Sequence, residues 1–480
     1  MRKNYLLLPL FLGLLCIVSC NKELQKREQS VPFKESTNSE IIPLNQALET
    51  LDRFLEKNYG PKTKTGKTRK IASISTYYSE FAVKSTDGDS VNIPKAYLVN
   101  FENEEGFAVL GANTNTPNIV AVTESGAIND DLTVVLRNNP RDDSSQDIAE
   151  DSYLDDEDIP IAIQSDTINF YCSEDDDFYA QTGSNEEQAN LVQTFILSGL
   201  NGDPGDGRED GDLVLTPGED GGWPGGRGSN NPSDDGKYAL ATVDPILKVN
   251  WGQRAPYNKY CKYRPFWLGP KIHAYTGCST TALAMIMSAN EFPKNMTVKG
   301  TALDWRVMKT HHSAKFLTEQ GTKHVALLMH NIYSNVRKVV TPWFTLITPE
   351  QIKKRMKKYG YTDVTKHSSS KFTSRMIRST SDMLSGGKPV FLSAIPRGFT
   401  KGHSWVVDGA KFSSEDHNNY LLHFNFGWGG NCNGYFSTDC LNPAKGEEYD
   451  YQDKWDKDVR KNNYTYSWHF RLITYNIPTY

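Results

Sequence analysis

The residue with most chemistry to offer is Cys278, in the run TGCSTTALAMIMSAN from Thr276 to Asn290. The run reads as a helix. Ala282, Ile286 and Ala289 form a small-apolar stripe, and Leu283 and Met287 lie beside it at helical spacing. Cys278, after Gly277, then stands at the helix N-terminus, where unpaired N–H groups and the macrodipole favour a thiolate. A thiolate is the nucleophile of covalent catalysis. Free cysteine is equally at home in a core. This stretch alone therefore leaves two readings open, a reactive thiol or a residue buried at a tight turn into a core helix.

A cysteine nucleophile needs a base within reach and a group that orients the base. The chain has 10 histidines. His311, His312, His324, His330, His367, His417 and His469 lie in polar or helical contexts with nothing distinctive nearby. His403, in KGHSWVVDGA, stands at the mouth of a strand with Trp405 and Val407 on the same side. A satisfied, half-buried histidine is the competing reading. In HFNFGWGG, His423 to Gly430, alternation puts His423 and Asn425 on one face and Phe424 and Phe426 on the other. The Asn425 amide oxygen can accept from an imidazole N–H and fix its tautomer, and Trp428 can screen that bond from water. His423 has no part in this scheme and reads as a partly buried strand residue.

The elements that must position these groups fall into segments. At 480 residues the chain has room for two or three domains. A net charge of −5 with 38% hydrophobic residues gives no support to a nucleic-acid partner or a basic membrane-binding surface. Residues 1–19 read as an export signal: Arg2 and Lys3 precede an apolar stretch, Tyr5 to Val18, too short to span a bilayer. IVSC resembles a bacterial lipoprotein cleavage box with Cys20 as the lipid-bearing residue, against the alternative of a plain signal peptide. Residues 20–40 are a polar tether.

A first folded unit opens with the stripe Leu44, Ala47, Leu48, Leu51, Phe54, Leu55 and continues through strand-like KAYLVNFE, GFAVLGA and NIVAVTE, the first pair forming a hairpin. An acidic segment follows between Arg141 and Asp158, then an amphipathic helix, Asn185 to Leu200. This unit, 41–200, is a small α+β domain with an acidic insert. Residues 201–236 are rich in Gly, Asp and Pro, so 201–242 reads as a flexible linker. Its Asp-Gly spacing lacks the acceptor ladder of a calcium loop.

Residues 243–480 form a second domain, helices first and strands afterwards, which is an α+β arrangement with a cleft where the halves meet. The helices include HVALLMHNIYSNV, TPEQIKKRMKKYG with Thr348 as cap, and RMIRSTSDMLSGG ending at Gly386-Gly387. The strands are PVFLSAIP, GHSWVVDGA and NYLLHFNF. With Cys16 and Cys20 assigned to the leader, Cys172, Cys261, Cys278, Cys432 and Cys440 remain, an odd number that leaves a thiol over. A Cys432–Cys440 disulfide is open at this level. No CxxC or HExxH occurs, so no metal site is expected, and no cofactor.

Taken in order, WGQRAPYN, TGCSTTALAMIM, Asp304-Trp305, HVALLMHNIYSNV, GHSWVVDGA, HFNFGWGGNCNGYF and Leu441 to Pro443 resemble a streptopain-type cysteine peptidase, a branch of the papain fold. The first unit resembles that family's propeptide. The resemblance implies a papain-like catalytic domain, a helical half plus an antiparallel β half, preceded by a small α+β propeptide domain. It implies Cys278 as nucleophile, His403 as general base and acid, Asn425 as its orienting group and Trp428 as a shield. The separations of 125 residues from Cys278 to His403 and 147 to Asn425 compare with the ~130–150 of papain-type enzymes.

Two positions depart from the family: His273 stands where a Gln oxyanion donor is usual, and Phe426 where a Trp is usual. The function implied is a secreted or surface endopeptidase made as a zymogen, acting on protein and peptide substrates through an acyl-enzyme. Its own propeptide would be the inhibitor and a lipid on Cys20 the membrane anchor. The alternatives are a non-catalytic surface adhesin on a peptidase scaffold, for which His273 is the hint, or a Cys-dependent amidase or acyltransferase.

Overall fold

The computed structural model describes residues 41–59, 69–78, 83–84, 90–91, 94–114, 116–136, 185–200, 214–217, 237–263, 272–310, 318–340, 345–369, 372–395, 402–413, 419–441 and 468–479. The leader with Cys20, the acidic insert, Cys172 and most of the linker lie outside these residues. All the described residues belong to one unit, Ser39–Tyr480.

Its backbone is a ten-stranded sheet. From one edge the strands run Ile71–Tyr78, Pro94–Phe101, Phe107–Gly111, Ile119–Thr123, Gly434–Ser437, Tyr420–Asn425, His403–Phe412, Val390–Ile395, Trp468–Asn476 and Thr362–Ser369. All neighbouring pairs are antiparallel. The hairpin read from the sequence is present, with Ala96 opposite Gly111 and Asn100 opposite Phe107. Strands from either side of the linker meet in the middle of the sheet, Val122 pairing with Tyr435 and Ala121 with Phe436. That seam is tight. A Cβ on Gly434 would lie 2.2 Å from the Val122 carbonyl oxygen, so only glycine lets the two backbones approach this closely.

The central strands are buried along their whole length rather than on alternate residues, because both faces are covered. Helix α1, Leu44–Tyr59, buries Ala47, Leu51 and Phe54 against Tyr97, Val99, Ala108, Leu110, Val122, Leu421 and Tyr435. Helix α2, Asn185–Leu200, sits over the other face, with Leu191, Val192, Phe195 and Ile196 in the main core.

The remaining helices are α3, Cys278–Asn290; α4, Trp305–Thr310; α5, Glu319–Ser334; α6, Pro349–Lys358; and α7, Ser374–Ser385. Their ends follow from local chemistry. Thr318, Thr348 and Thr373 accept from the backbone N–H groups of Gly321, Gln351 and Met376 at the starts of α5, α6 and α7, and Gly386 closes α7. The architecture is α+β, helices followed by antiparallel strands. Among the large-sheet strands that follow α3, Thr362–Ser369 breaks that order by lying between α6 and α7 and pairing with the last strand.

Candidate active site

Cys278 is the first residue of α3. Gly277 before it has φ 96°, a conformation that glycine adopts without Cβ strain, and this turns the chain sharply into the helix. The Cys278 Sγ is buried and accepts the backbone N–H of Ser404 at 3.2 Å. Beside it the hydroxyl of Ser279 lies 3.0 Å from that of Ser404 and donates to the Ile347 carbonyl at 2.9 Å. The start of α3 is therefore bound to the start of the His403–Phe412 strand. Burial pushes the thiol up, against hydrogen bonds from Ser404 and Ser279 that favour its ionisation. The helix N-terminus thus does not make a thiolate in this state, because desolvation of the charged form wins.

His403, next to Ser404, is fully buried. Its Nε2 donates to the Phe426 carbonyl at 3.0 Å, which leaves Nδ1 with the lone pair in the neutral ring. The ring lies parallel to Trp405 with centroids 6.0 Å apart, and 4.8 Å from the ring of Trp428. Burial pulls its pKa down to about 3, with the Phe426 carbonyl acting in the opposite direction. Burial thus biases thiol and imidazole alike toward their neutral forms.

Trp428 stacks on Phe426 at 4.6 Å and so forms one wall of the histidine pocket. Phe195 of α2 closes the wall from above, 5.5 Å from Trp405 and 6.2 Å from Phe426. Asn425 is buried nearby but its amide is engaged elsewhere. Its Nδ2 donates to the Val249 carbonyl at 3.1 Å and to Asn250 Oδ1 at 3.2 Å, and its Oδ1 accepts the Gly427 N–H at 3.2 Å. The carbonyl of Phe426, one residue on, takes the imidazole N–H that the sequence assigned to Asn425.

His273 lies in a two-residue strand, Ile272–His273, paired with Lys262–Tyr263. Its Nδ1 donates to the Asn258 carbonyl at 3.2 Å, so in the neutral ring Nε2 carries a lone pair and not a proton. Donation to an oxyanion from Nε2 would need the imidazolium. Gln253 is a group that sequence reasoning passed over. It is buried, and its carbonyl accepts the N–H of Thr276, two residues before the nucleophile, at 3.0 Å. Its neighbours Trp251 and Gly252 accept from Gly429 N–H and Thr281 Oγ1. The contact is made by the main chain of WGQRAPYN, which braces the turn into α3.

A second unread cluster centres on His423. Its Nδ1 lies 2.6 Å from Asp408 Oδ1 and its Nε2 3.4 Å from Glu124 Oε1. Cys432 and Cys440 are both buried thiols and are not bridged to each other. Among the described residues no group of three or more His, Cys, Asp or Glu side chains is placed to hold a metal ion together.

Residues 251–436 match the Peptidase C10 family. A streptopain of Streptococcus pyogenes serotype M28 is 27% identical over 200 residues, 36% of this chain and 48% of that protein. The chain thus spans about half the length of the curated relatives it matches. Among solved structures, a fragment of prointerpain A from Prevotella intermedia, a Cys-to-Ala mutant, is similar with a TM-score of 0.46 and 17% identity. That match covers 85% of this chain and 100% of the fragment. Active wild-type interpain A, a cysteine protease of the same organism, has a TM-score of 0.37 and 23% identity over 48% of this chain and 93% of its own. The stretch that holds Cys278, His403 and Asn425 thus lies within the match to the Peptidase C10 family, and the resemblance to streptopain-type cysteine peptidases is carried by residues 251–436.

Proposed function

We propose that this protein is a cysteine endopeptidase made as a latent precursor. The observation that carries the reading is the bond from the Ser404 N–H to Cys278 Sγ, which ties the head of α3 to the strand that opens with His403. Once the site is armed, the Cys278 thiolate attacks a peptide carbonyl and His403 protonates the leaving amine. Water, activated by the same imidazole, then releases the acid from the acyl-enzyme. The Cys278 backbone N–H contributes to the oxyanion hole.

Latency follows from the electrostatics. Burial that biases both thiol and imidazole toward their neutral forms disfavours the charged pair, and Phe195 of α2 packs on Trp405, whose ring lies parallel to that of His403. Residues 41–200 are the inhibitory unit, 201–242 the activation region and 243–480 the peptidase. Cleavage in the activation region frees the catalytic half from its cover and from the lipid on Cys20, which anchors the exported precursor.

The test is labelling of the full chain with a papain-type epoxide inhibitor before and after nicking within 200–242. The expected result is adduct on Cys278 only after nicking, with peptidase activity and release from membranes rising together. A nicked, separated catalytic half that neither reacts nor cleaves a protein substrate sinks the peptidase reading. Activity that stays in the membrane fraction after the halves are parted sinks the anchor on the N-terminal half.

A further inference from the structure

Outside the Cys278–His403 site, the described residues hold one cluster of buried titratable groups that spans the seam of the sheet. His423 lies on the Tyr420–Asn425 strand with a side chain only 4% exposed. Its Nδ1 meets Asp408 Oδ1 at 2.6 Å, and the other oxygen of Asp408 accepts the Leu247 N–H at 3.1 Å. Those three residues all belong to the C-terminal half. The second imidazole nitrogen points across the seam to Glu124 Oε1, 3.4 Å away, immediately after the last N-terminal strand. The Glu124 side chain is 34% exposed, so water reaches it while the histidine stays dry.

We propose that the His423–Asp408 pair is a carboxylate-binding site, and that Glu124 occupies it as a charged clasp holding the N-terminal half on the sheet. The backbone on both sides supports this. Glu124 N–H donates to the Asn433 carbonyl at 2.8 Å, Ser125 Oγ donates to the Gly430 carbonyl at 3.2 Å, and Cys432 N–H donates to Ser125 Oγ at 3.1 Å. The segment is thereby registered against the turn that follows Asn425. A carboxylate at its head meets the one imidazole nitrogen that the Asp408 pairing leaves over.

The clasp has a sign in pH. For Glu124, burial opposes the charge but is outweighed by the hydrogen bond and charge of His423 and by the charge of Arg69, so its acidity is enhanced. A carboxyl held below its ordinary value gives stability that is present above that value and lost as pH falls through the lowered one. For His423, burial opposes protonation, but Asp408 and Glu124 together raise it to about 10, so it stays charged across the neutral range. The other groups facing the cluster do not reverse this. Tyr59 of α1 and Tyr435 on the Gly434–Ser437 strand are phenols pushed up by burial, and Arg69 lies over the Tyr59 ring. Asp244 is ion-paired with Lys411. Acid therefore opens the clasp by discharging Glu124.

That opening exposes the catalytic half rests on the precursor reading above, but the clasp itself does not. The experiment uses the full chain carrying Cys278→Ala, which removes any self-cleavage. Amide hydrogen exchange is followed at Ala121, Val122, Tyr435 and Phe436, the seam ladder, and at Val390–Ile395 as an internal control. Corrected for intrinsic exchange, Glu124→Gln should speed the seam about five- to tenfold at neutral pH and leave the control unchanged, the size of a charge-assisted contact partly open to water. Wild-type seam protection should fall toward the Glu124→Gln value on acidification below the usual carboxylate range, while the variant stays flat over that window. His423→Gln should match Glu124→Gln at the seam. Equal seam protection in wild type and Glu124→Gln, or the same acid response in both, overturns the clasp. A catalytically dead wild-type enzyme would overturn only the peptidase reading.

Discussion

Phe195→Ala is the sharpest probe of how the site is kept latent. Phe195 is 1% exposed, and its ring contacts Trp405 at 5.5 Å, Phe424 at 5.9 Å, Phe426 at 6.2 Å and Phe436 at 6.2 Å. Two of these partners, Trp405 and Phe426, also flank His403. Removing a buried Phe costs about 3–5 kcal/mol in lost burial and cavity. If that loss falls on the docking of α2, the lower figure raises the local opening constant about 10²-fold, at ~1.4 kcal/mol per factor of ten. The opened site admits water, which removes the burial that now holds imidazole and thiol neutral. The assay is alkylation by an iodoacetamide-type reagent, resolved by peptide mass spectrometry. Cys278 should label about 10²-fold faster in Phe195→Ala through local opening. Cys261, buried in a separate cluster with Ala274 and Tyr333, should label at the wild-type rate. An unchanged Cys278 rate, or Cys261 rising in step with it, refutes the argument. In the second case the variant has merely lost global stability.

Cys278→Ala and His403→Ala should each bring peptidase activity of the nicked protein to background with the fold retained by circular dichroism, and Asn425→Ala should cost less because its amide braces Val249, Asn250 and Gly427 and does not touch the imidazole through the bonds described. His273→Gln should keep most activity, read from steady-state kinetics with a peptide substrate. Asp408→Asn should lower stability by about 3–5 kcal/mol in urea unfolding, since it strips the partner from a buried imidazolium. Because His423 is raised from 6.5 to about 10, its contribution is full below 6.5 and lost as pH rises through 10; wild-type stability should decline over that window and Asp408→Asn should flatten the decline.

What the sequence made legible is what local physics decides. The start of α3 was readable because a glycine, a cysteine and a small-apolar stripe follow one another within a few residues, and no distant partner is needed. The α1 stripe and the hairpin were readable for the same reason. The side-chain partners were not. Asn425 turns its amide toward Asn250, 175 residues earlier, and the imidazole N–H of His403 goes to a backbone carbonyl instead. Alternation correctly put His423 and Asn425 on one face but could not say that Glu124, 299 residues away, closes on that face. The strand Thr362–Ser369, TDVTKHSS, has too little apolar character to announce itself. It is held by its ladder to the C-terminal strand, from Thr362 opposite Asn476 to Ser369 opposite Phe470. For Cys278 the sequence showed the helix N-terminus, which favours a thiolate, but not the burial that opposes it.

The seam also explains how one sheet can serve as both lock and scaffold. The Gly434–Ser437 strand is four residues long, and on one side it pairs only with the N-terminal strand Ile119–Thr123. Loss of that neighbour leaves a short edge, which is tolerated far better than a long flat one. Behind it, Phe436 stacks on Phe424 at 5.1 Å, and the Tyr420–Asn425 and His403–Phe412 strands pair onward through Val390–Ile395. The part that carries His403 therefore keeps its ladder on both sides when the N-terminal strands leave. Tyr435 faces the other way, edge-on to Phe54 and Tyr59 of α1 and to His423. Departure breaks the seam contacts at Tyr435, Gly434 and His423 and the packing of Phe195 on Trp405 and Phe426, whereas the bonds from Cys278 and Ser279 to Ser404 lie within the C-terminal half. Breaking the seam costs the N-terminal half its support while leaving the bonds that tie Cys278 and Ser279 to Ser404 in place.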